Sequence, residues 1–206
     1  MNQEATFRIV LVVGFLAVVC IMLPYRLKSQ ATREKLDRRQ EGLFILATLR
    51  PVGLMVWLGV IAYMVNPAWM AWSSIALPAW LRWSGAGGLA LATVFLTWTL
   101  SSLGTNLTDT VVTRRAHTLV THGPYRWVRH PFYDSVAVLI LAISLAAANW
   151  FLLVTGCAFM FLAVLRTGTE EEKLVARFGD AYRVYMVQTG RFVPKGRGNS
   201  GAGPTA

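Results

Sequence analysis

The chain has 206 residues, of which 55% are hydrophobic and only 15% charged, and its formal net charge is +10 with a pI near 10.3. The apolar positions gather into long blocks instead of alternating or following an amphipathic stripe, which argues against a soluble single domain and marks an integral membrane protein. A basic balance also suits nucleic acid, but here the cations cluster at the ends of the apolar blocks, where anionic lipid head groups and topology account for them, so no nucleic-acid partner is expected.

In chain order, Phe7 to Leu23 forms the first span. Glu4 accompanies Arg8 ahead of it and Ile21-Met-Leu-Pro-Tyr25 lacks a small-residue cleavage pattern, so the segment is expected to stay as an uncleaved anchor. Ser29 to Glu41 mixes both signs and should lie along the membrane surface as a charged helix or linker. Leu43 to Val65 is the second span. Arg50-Pro51, early in it, reads as an interfacial arginine snorkelling to head groups beside a proline that starts or bends the true helix. Trp69, Trp72, Trp80 and Trp83 bracket the next loop as an interfacial aromatic belt. Trp83 to Leu103 is the third span. Gly85-Ala-Gly-Gly88 at its start follows no strand, so close helix packing explains it better than phosphate binding does. Phe132 to Leu165 is interrupted only near Ala148-Asn149-Trp150, and at about 1.5 Å per residue it is long enough for two helices and a tight turn.

The expected fold is therefore all-α, a polytopic membrane bundle of about five transmembrane helices with a C-terminal helical hairpin and a cytoplasmic cofactor pocket. Residues 1–194 form one membrane domain, with residues 117–194 as its cofactor-binding part, and the Gly-rich stretch 195–206 should be disordered. Arg26, Lys28, Arg33, Lys35, Arg38 and Arg39 follow the first span, and Arg114, Arg115, Arg126 and Arg129 follow the third, whereas the opposite side has little beyond Arg8 and Arg82. That asymmetry puts the N-terminus outside and the C-terminus in the cytoplasm. Cys20 and Cys157 sit in apolar spans without ligand spacing and are expected to be packing residues. His117, His122 and His130 lack any accompanying cysteine or HExxH pattern, so no metal is expected.

The densest polar element is His122-Gly-Pro-Tyr-Arg-Trp-Val-Arg-His-Pro-Phe-Tyr133, and beyond the hairpin comes Glu170-Glu-Glu172. Counted outward from the turn along both helices, Pro131 and Glu171 lie roughly 26 and 33 Å away, so Arg129, His130 and the glutamates meet at one height, the cytoplasmic mouth of an antiparallel pair. Pro131 suits a first helical turn, which leaves backbone donors and a positive dipole ahead of it. With Arg129 adjacent, that wall favours an anion, and the glutamates opposite favour an ammonium or ribose hydroxyls. Tyr125, Trp127, Phe132 and Tyr133 are available to pack a ring. This inventory suits a zwitterionic nucleoside such as S-adenosylmethionine. Charge and position alone leave equally open that Arg129 and Glu170 to Glu172 pair with one another and with lipid phosphate.

Gly123-Pro-Tyr-Arg-Trp-Val-Arg-His-Pro-Phe-Tyr133, a hairpin, then Glu170-Glu-Glu-Lys-Leu-Val-Ala-Arg-Phe-Gly-Asp-Ala-Tyr-Arg-Val-Tyr185 and Arg191-Phe-Val-Pro194 closely resemble the isoprenylcysteine carboxyl methyltransferase and phospholipid methyltransferase superfamily. The resemblance covers about the last eighty residues, in order and at the family's spacing. It implies an integral membrane enzyme that binds S-adenosylmethionine at the cytoplasmic face and receives a lipophilic acceptor, isoprenylcysteine-carboxylate-like or phospholipid-amine-like, from the bilayer. The cofactor-binding positions it implies are Gly123, Pro124, Tyr125, Arg129, His130, Pro131, Tyr133, Glu170 and Glu171. Asp134-Ser135 departs from the small residue and glycine of many relatives, which bears on acceptor contacts. The short chain without an added domain suggests a bacterial inner-membrane protein and gives no sign that a prenylated protein is the acceptor.

Direct in-line transfer needs an acceptor atom held against the methyl group and water kept out. A carboxylate would need no general base, unlike an amine, thiol or hydroxyl. Arg126 is a candidate for orienting an acidic acceptor, or for meeting lipid phosphate. Asn106 and Asp109 are candidates for contacting the acceptor, or for capping the chain as it leaves the third span. Two rivals remain: an NADPH-dependent membrane reductase of the sterol type, and a non-catalytic membrane scaffold of the same fold.

Overall fold

A computed structural model describes residues 3–31, 45–104 and 118–195, and all of its regular structure is helical. Helix α1 (Gln3–Ala31) runs past the expected end at Leu23, carrying Pro24 inside it. The apolar block stops at Leu23, but nothing in Arg26 or Lys28 stops helical hydrogen bonding. A π-helical turn (Ile45–Leu49) leads into α2 (Arg50–Val65), with Pro51 in its first turn. Pro51 stands where the π-helical turn gives way to the α-helix, a junction at which its missing donor is tolerated. A 3₁₀ turn, Pro67–Ser73, crosses to α3 (Ala79–Leu103). After a second 3₁₀ turn, Gly123–Arg126, come α4 (Pro131–Ala147), α5 (Trp150–Phe178) and the short α6 (Asp180–Gln188).

Among the described residues, α1, the second span (Ala47–Val65), α3 and α5 are long and apolar enough to cross a membrane, and α4 is a shorter apolar helix. Four of the five expected spans are thus matched; α4, the first helix of the hairpin, has only 17 residues, at the lower limit for crossing the hydrocarbon core. Leu54, Leu91, Val94 and Phe161 are 58–72% exposed. An apolar surface of that extent needs lipid to cover it, and the protein is an integral, multi-pass membrane protein. Cys20 and Cys157 are exposed on this surface; they face outward and do not pack the interior, which corrects the expectation. Trp69, Trp72, Trp80 and Trp83 are exposed around one end of the bundle, as an aromatic belt requires.

Helices α3 and α4 pack most closely, and Gly85 is the reason. A Cβ at Gly85 would stand 2.6 Å from the Ala146 nitrogen and 2.8 Å from the Ala142 oxygen, so only glycine lets the two backbones approach this far. The α4–α5 hairpin turns where expected. Ala148 takes the left-handed conformation at φ 49°, and its amide donates back to the Leu145 oxygen. The Asn149 side chain then caps α5 by accepting from the Leu152 amide at 3.1 Å and donates to Ser73 Oγ at 2.8 Å. One asparagine therefore starts a helix and pins the turn to the loop between α2 and α3.

Candidate functional site

Arg129 and His130 precede α4, and Glu170 and Glu171 lie near the end of α5, on the partner helix of the hairpin. Antiparallel packing brings the two pairs together. Arg129 donates through Nε to Glu171 Oε1 at 2.8 Å and through Nη1 to the Met186 oxygen at 3.1 Å and the Thr189 oxygen. His130 Nε2 lies 3.2 Å from the same carboxylate oxygen, and Arg191 pairs with the other oxygen. Glu171 is only 3% exposed, enclosed by three basic groups. Its hydrogen bond raises the Arg191 guanidinium pKa further above its usual range.

Glu170 points the other way. Tyr133 donates to it at 2.8 Å, and Arg166, one helical turn earlier on α5, brings Nε to 3.0 Å. That Nε is buried and out of line for a hydrogen bond with any partner among the described residues. It is an oriented cation with an unused donor.

The pairing left open by charge alone is present, and residues of the same cluster also border a cavity. Arg129 and Glu171 pair with one another, whereas Arg129, His130, Tyr133, Arg166 and Glu170 all line a cavity of about 760 Å³. Tyr125, Phe132, Phe178, Tyr182 and Tyr185 add aromatic walls at this polar end, and Arg26 of α1 faces it. Burial pushes the Tyr185 hydroxyl up to about 12, so it stays protonated and donates to the Tyr125 oxygen. Burial raises Tyr125 and Tyr182 as well. Away from this end the lining is apolar, reaching Leu11, Val60 and Leu89 inside the bundle.

Backbone donors ahead of Pro131 were expected to be free for an anion. Instead the Arg129 amide donates to the Gly190 oxygen at 2.8 Å and the His130 amide to the Arg191 oxygen at 3.1 Å. The returning segment after α6 makes a parallel bridge, Val128 to Gly190, and uses them. Pro131 is buried at the start of α4. Gly123 and Pro124 shape the turn before it and do not line the cavity. Gly123 has φ +59°, and a Cβ there would stand 2.1 Å from Ser102 Oγ, so glycine lets this turn sit against the end of α3. Arg126 is exposed and stacks its guanidinium 4.0 Å from the Trp127 ring centroid, outside the cavity lining. Asn106, Asp109 and His117 lie outside the described residues.

Sequence reasoning missed Arg166 and Arg191. Arg166 carried a signal, its i,i+4 spacing from Glu170 on one helix face. Arg191 carried none beyond its place in the Arg191-Phe-Val-Pro194 element, because the chain's return to the site is tertiary.

Residues 85–176 match the model of the isoprenylcysteine carboxyl methyltransferase family. That region, a little under half of the chain, is similar to the family. Over 83 residues the chain is 36% identical to a protein-S-isoprenylcysteine O-methyltransferase of Tribolium castaneum, covering 38% of this chain and 28% of that relative. Over 115 residues it is 30% identical to the protein-S-isoprenylcysteine O-methyltransferase of Schizosaccharomyces pombe, covering 54% of this chain and 48% of the relative. The chain therefore spans about half or less of the length of these curated relatives. Both are eukaryotic, so they lend no support to the bacterial host expected from chain length. Among solved structures, that of the eukaryotic intramembrane Ras methyltransferase, isoprenylcysteine carboxyl methyltransferase, without a monobody, resembles this one with a TM-score of 0.53 at 20% identity, covering 93% of this chain and 75% of that one. At that identity the likeness is one of fold, the family's membrane helical bundle.

Proposed function

We propose that the protein is an integral membrane methyltransferase that moves a methyl group from S-adenosylmethionine to the carboxylate of a lipophilic, isoprenylcysteine-like acceptor. One observation carries this reading: a single cavity joins a polar, aromatic end, with Glu170 and Arg166, to an apolar interior within the membrane bundle. The donor set fits a zwitterionic nucleoside. Glu170 suits an ammonium or ribose hydroxyls, the rings of Tyr125, Phe132 and Tyr133 suit adenine, and Arg26 and Arg166 suit carboxylates. A carboxylate acceptor is favoured over a phospholipid amine because the matched relatives are named as O-methyltransferases.

S-adenosylmethionine supplies a methyl group already activated by the sulfonium. When bound, it would give that methyl group to the acceptor oxygen, the electron pair of the broken sulfur–carbon bond staying on sulfur. No proton has to be removed from a carboxylate, so the chain's task is to position and to exclude water. Arg166, with its unused Nε, turns the acceptor carboxylate towards the methyl group. Glu171 holds Arg129 and Arg191 and, through them, the returning segment that closes the site. Arg126, Asn106 and Asp109 remain proposals for contacts at the cytoplasmic surface. The excess of cations at this end of the bundle supports a cytoplasmic site, with the N-terminus outside.

Titration of detergent-purified protein with S-adenosylmethionine tests the reading, with NADPH as the control for a sterol-type reductase. Saturable binding of the former, weakened about tenfold or more by Glu170→Gln, is expected. Binding of NADPH alone, or of neither, would overturn it, the second result fitting a non-catalytic scaffold.

A further inference from the structure

At the end remote from Glu170 the cavity lining consists of buried side chains. Its floor is Leu11, Val60 and Leu89, from three different helices, exposed by 2%, 7% and 4%. On α1 the lining runs from Arg26 to Leu11, about fifteen residues or roughly 22 Å along the helix.

Behind the floor is a group of polar residues for which methyl transfer has no use. Arg82, assigned from the sequence only to the outer side, is 4% exposed. Its Nε donates to the Ala146 oxygen at 3.0 Å, and Nη2 donates to Tyr63 at 3.2 Å and to Glu4 at 3.2 Å. Tyr63 donates in turn to Glu4 at 3.0 Å. The guanidinium also lies 4.1 Å from the Phe7 ring centroid, and Phe7, fully buried, stands one helical turn from Leu11. The clasp thus joins α1, α2, α3 and α4 immediately behind the three floor residues. A charge enclosed this far is costly unless it is fully paired, and once paired it holds the helices rigidly, so the floor cannot yield to a longer ligand by letting the helix ends spread.

We propose that Leu11, Val60 and Leu89, backed by the Arg82–Glu4–Tyr63 clasp, form a stop that sets the longest apolar tail an acceptor can carry. The inference rests on the methyltransferase reading and deepens it. The acceptor enters tail-first, with its carboxylate at Arg166 and its tail end against the floor. Leu11, Val60 and Leu89 determine specificity, and Arg82, Glu4 and Tyr63 position them.

The test uses the full chain in lipid nanodiscs, radiolabelled S-adenosylmethionine and S-isoprenyl cysteine carboxylates whose tails grow by one isoprene unit at a time. For the wild-type protein kcat/KM should rise with tail length and then fall about tenfold or more at the first tail that overfills the cavity. Leu89→Ala should move that cutoff to a longer tail and Val60→Phe to a shorter one. Glu4→Gln should blur it, raising the ratio of kcat/KM for the first excluded tail over the last accepted one. A merely structural role would lower kcat/KM for every tail alike and leave the ratio unmoved. S-adenosylmethionine binding reports whether each variant is folded, and Leu89→Ala serves if Val60→Phe is not. A cutoff that stays in place in both floor variants overturns the stop while leaving the methyltransferase reading intact. Failure of the wild type to methylate any tail overturns that reading, and the stop with it.

Discussion

Arg129 binds a carboxylate and two backbone oxygens at once, those of Met186 and Thr189. A planar fork with several fixed donors meets that demand and a lysine ammonium does not. Arg129→Lys should therefore weaken S-adenosylmethionine binding about tenfold and cost about 2 kcal/mol of stability, read by titration and by thermal unfolding in detergent. Glu171→Gln should cost more, about 3 kcal/mol, because it leaves Arg129, Arg191 and His130 around a site with no counter-charge. If the two variants unfold at the wild-type temperature, the network is not holding the returning segment. The meeting of Arg129 with Glu171 was legible from counting along two helices of a hairpin. The third partner, Arg191, was not, because no periodicity links a residue beyond α6 to one ahead of α4.

Apolar blocks locate helices well, since each span must satisfy its own backbone hydrogen bonds in lipid. They locate helix ends less well. Helix α1 continues to Ala31 because the hydropathy signal stops at the edge of the hydrocarbon, not where hydrogen bonding stops. Contacts between helices follow small residues, and here the expectation for Gly85 was met. Gly85→Val should separate α3 from α4 and destabilise the bundle by about 2 kcal/mol or more, since the new side chain would meet the Ala146 and Ala142 backbone, which cannot rotate away. Asn149→Ala removes the cap of α5 and the bond to Ser73 together, and about 2 kcal/mol is expected from the pair. A thermal unfolding midpoint unchanged in either variant would show that the contact is not limiting.

For the whole molecule, the distribution of cations predicts orientation. Cysteines introduced near each terminus and probed on intact cells with a membrane-impermeant maleimide should react at the N-terminus and be protected at the C-terminus. Native Cys20 and Cys157, exposed on apolar helical faces, should contribute little background. The reverse pattern would place the polar end of the cavity outside. Composition and block hydropathy by themselves determined that the chain is an all-helical membrane protein, and the hairpin count determined which charges share a height. Tertiary structure alone decided that Glu171 is enclosed by its partners while Glu170 faces the cavity, and that Arg82 is buried beside Tyr63 and paired with the half-exposed Glu4 where position along the chain placed it only on the outer side. The physical reason is common to all three residues: sequence spacing reports the height of a group along its helix, whereas its partner depends on how neighbouring helices are rotated and on how the chain returns.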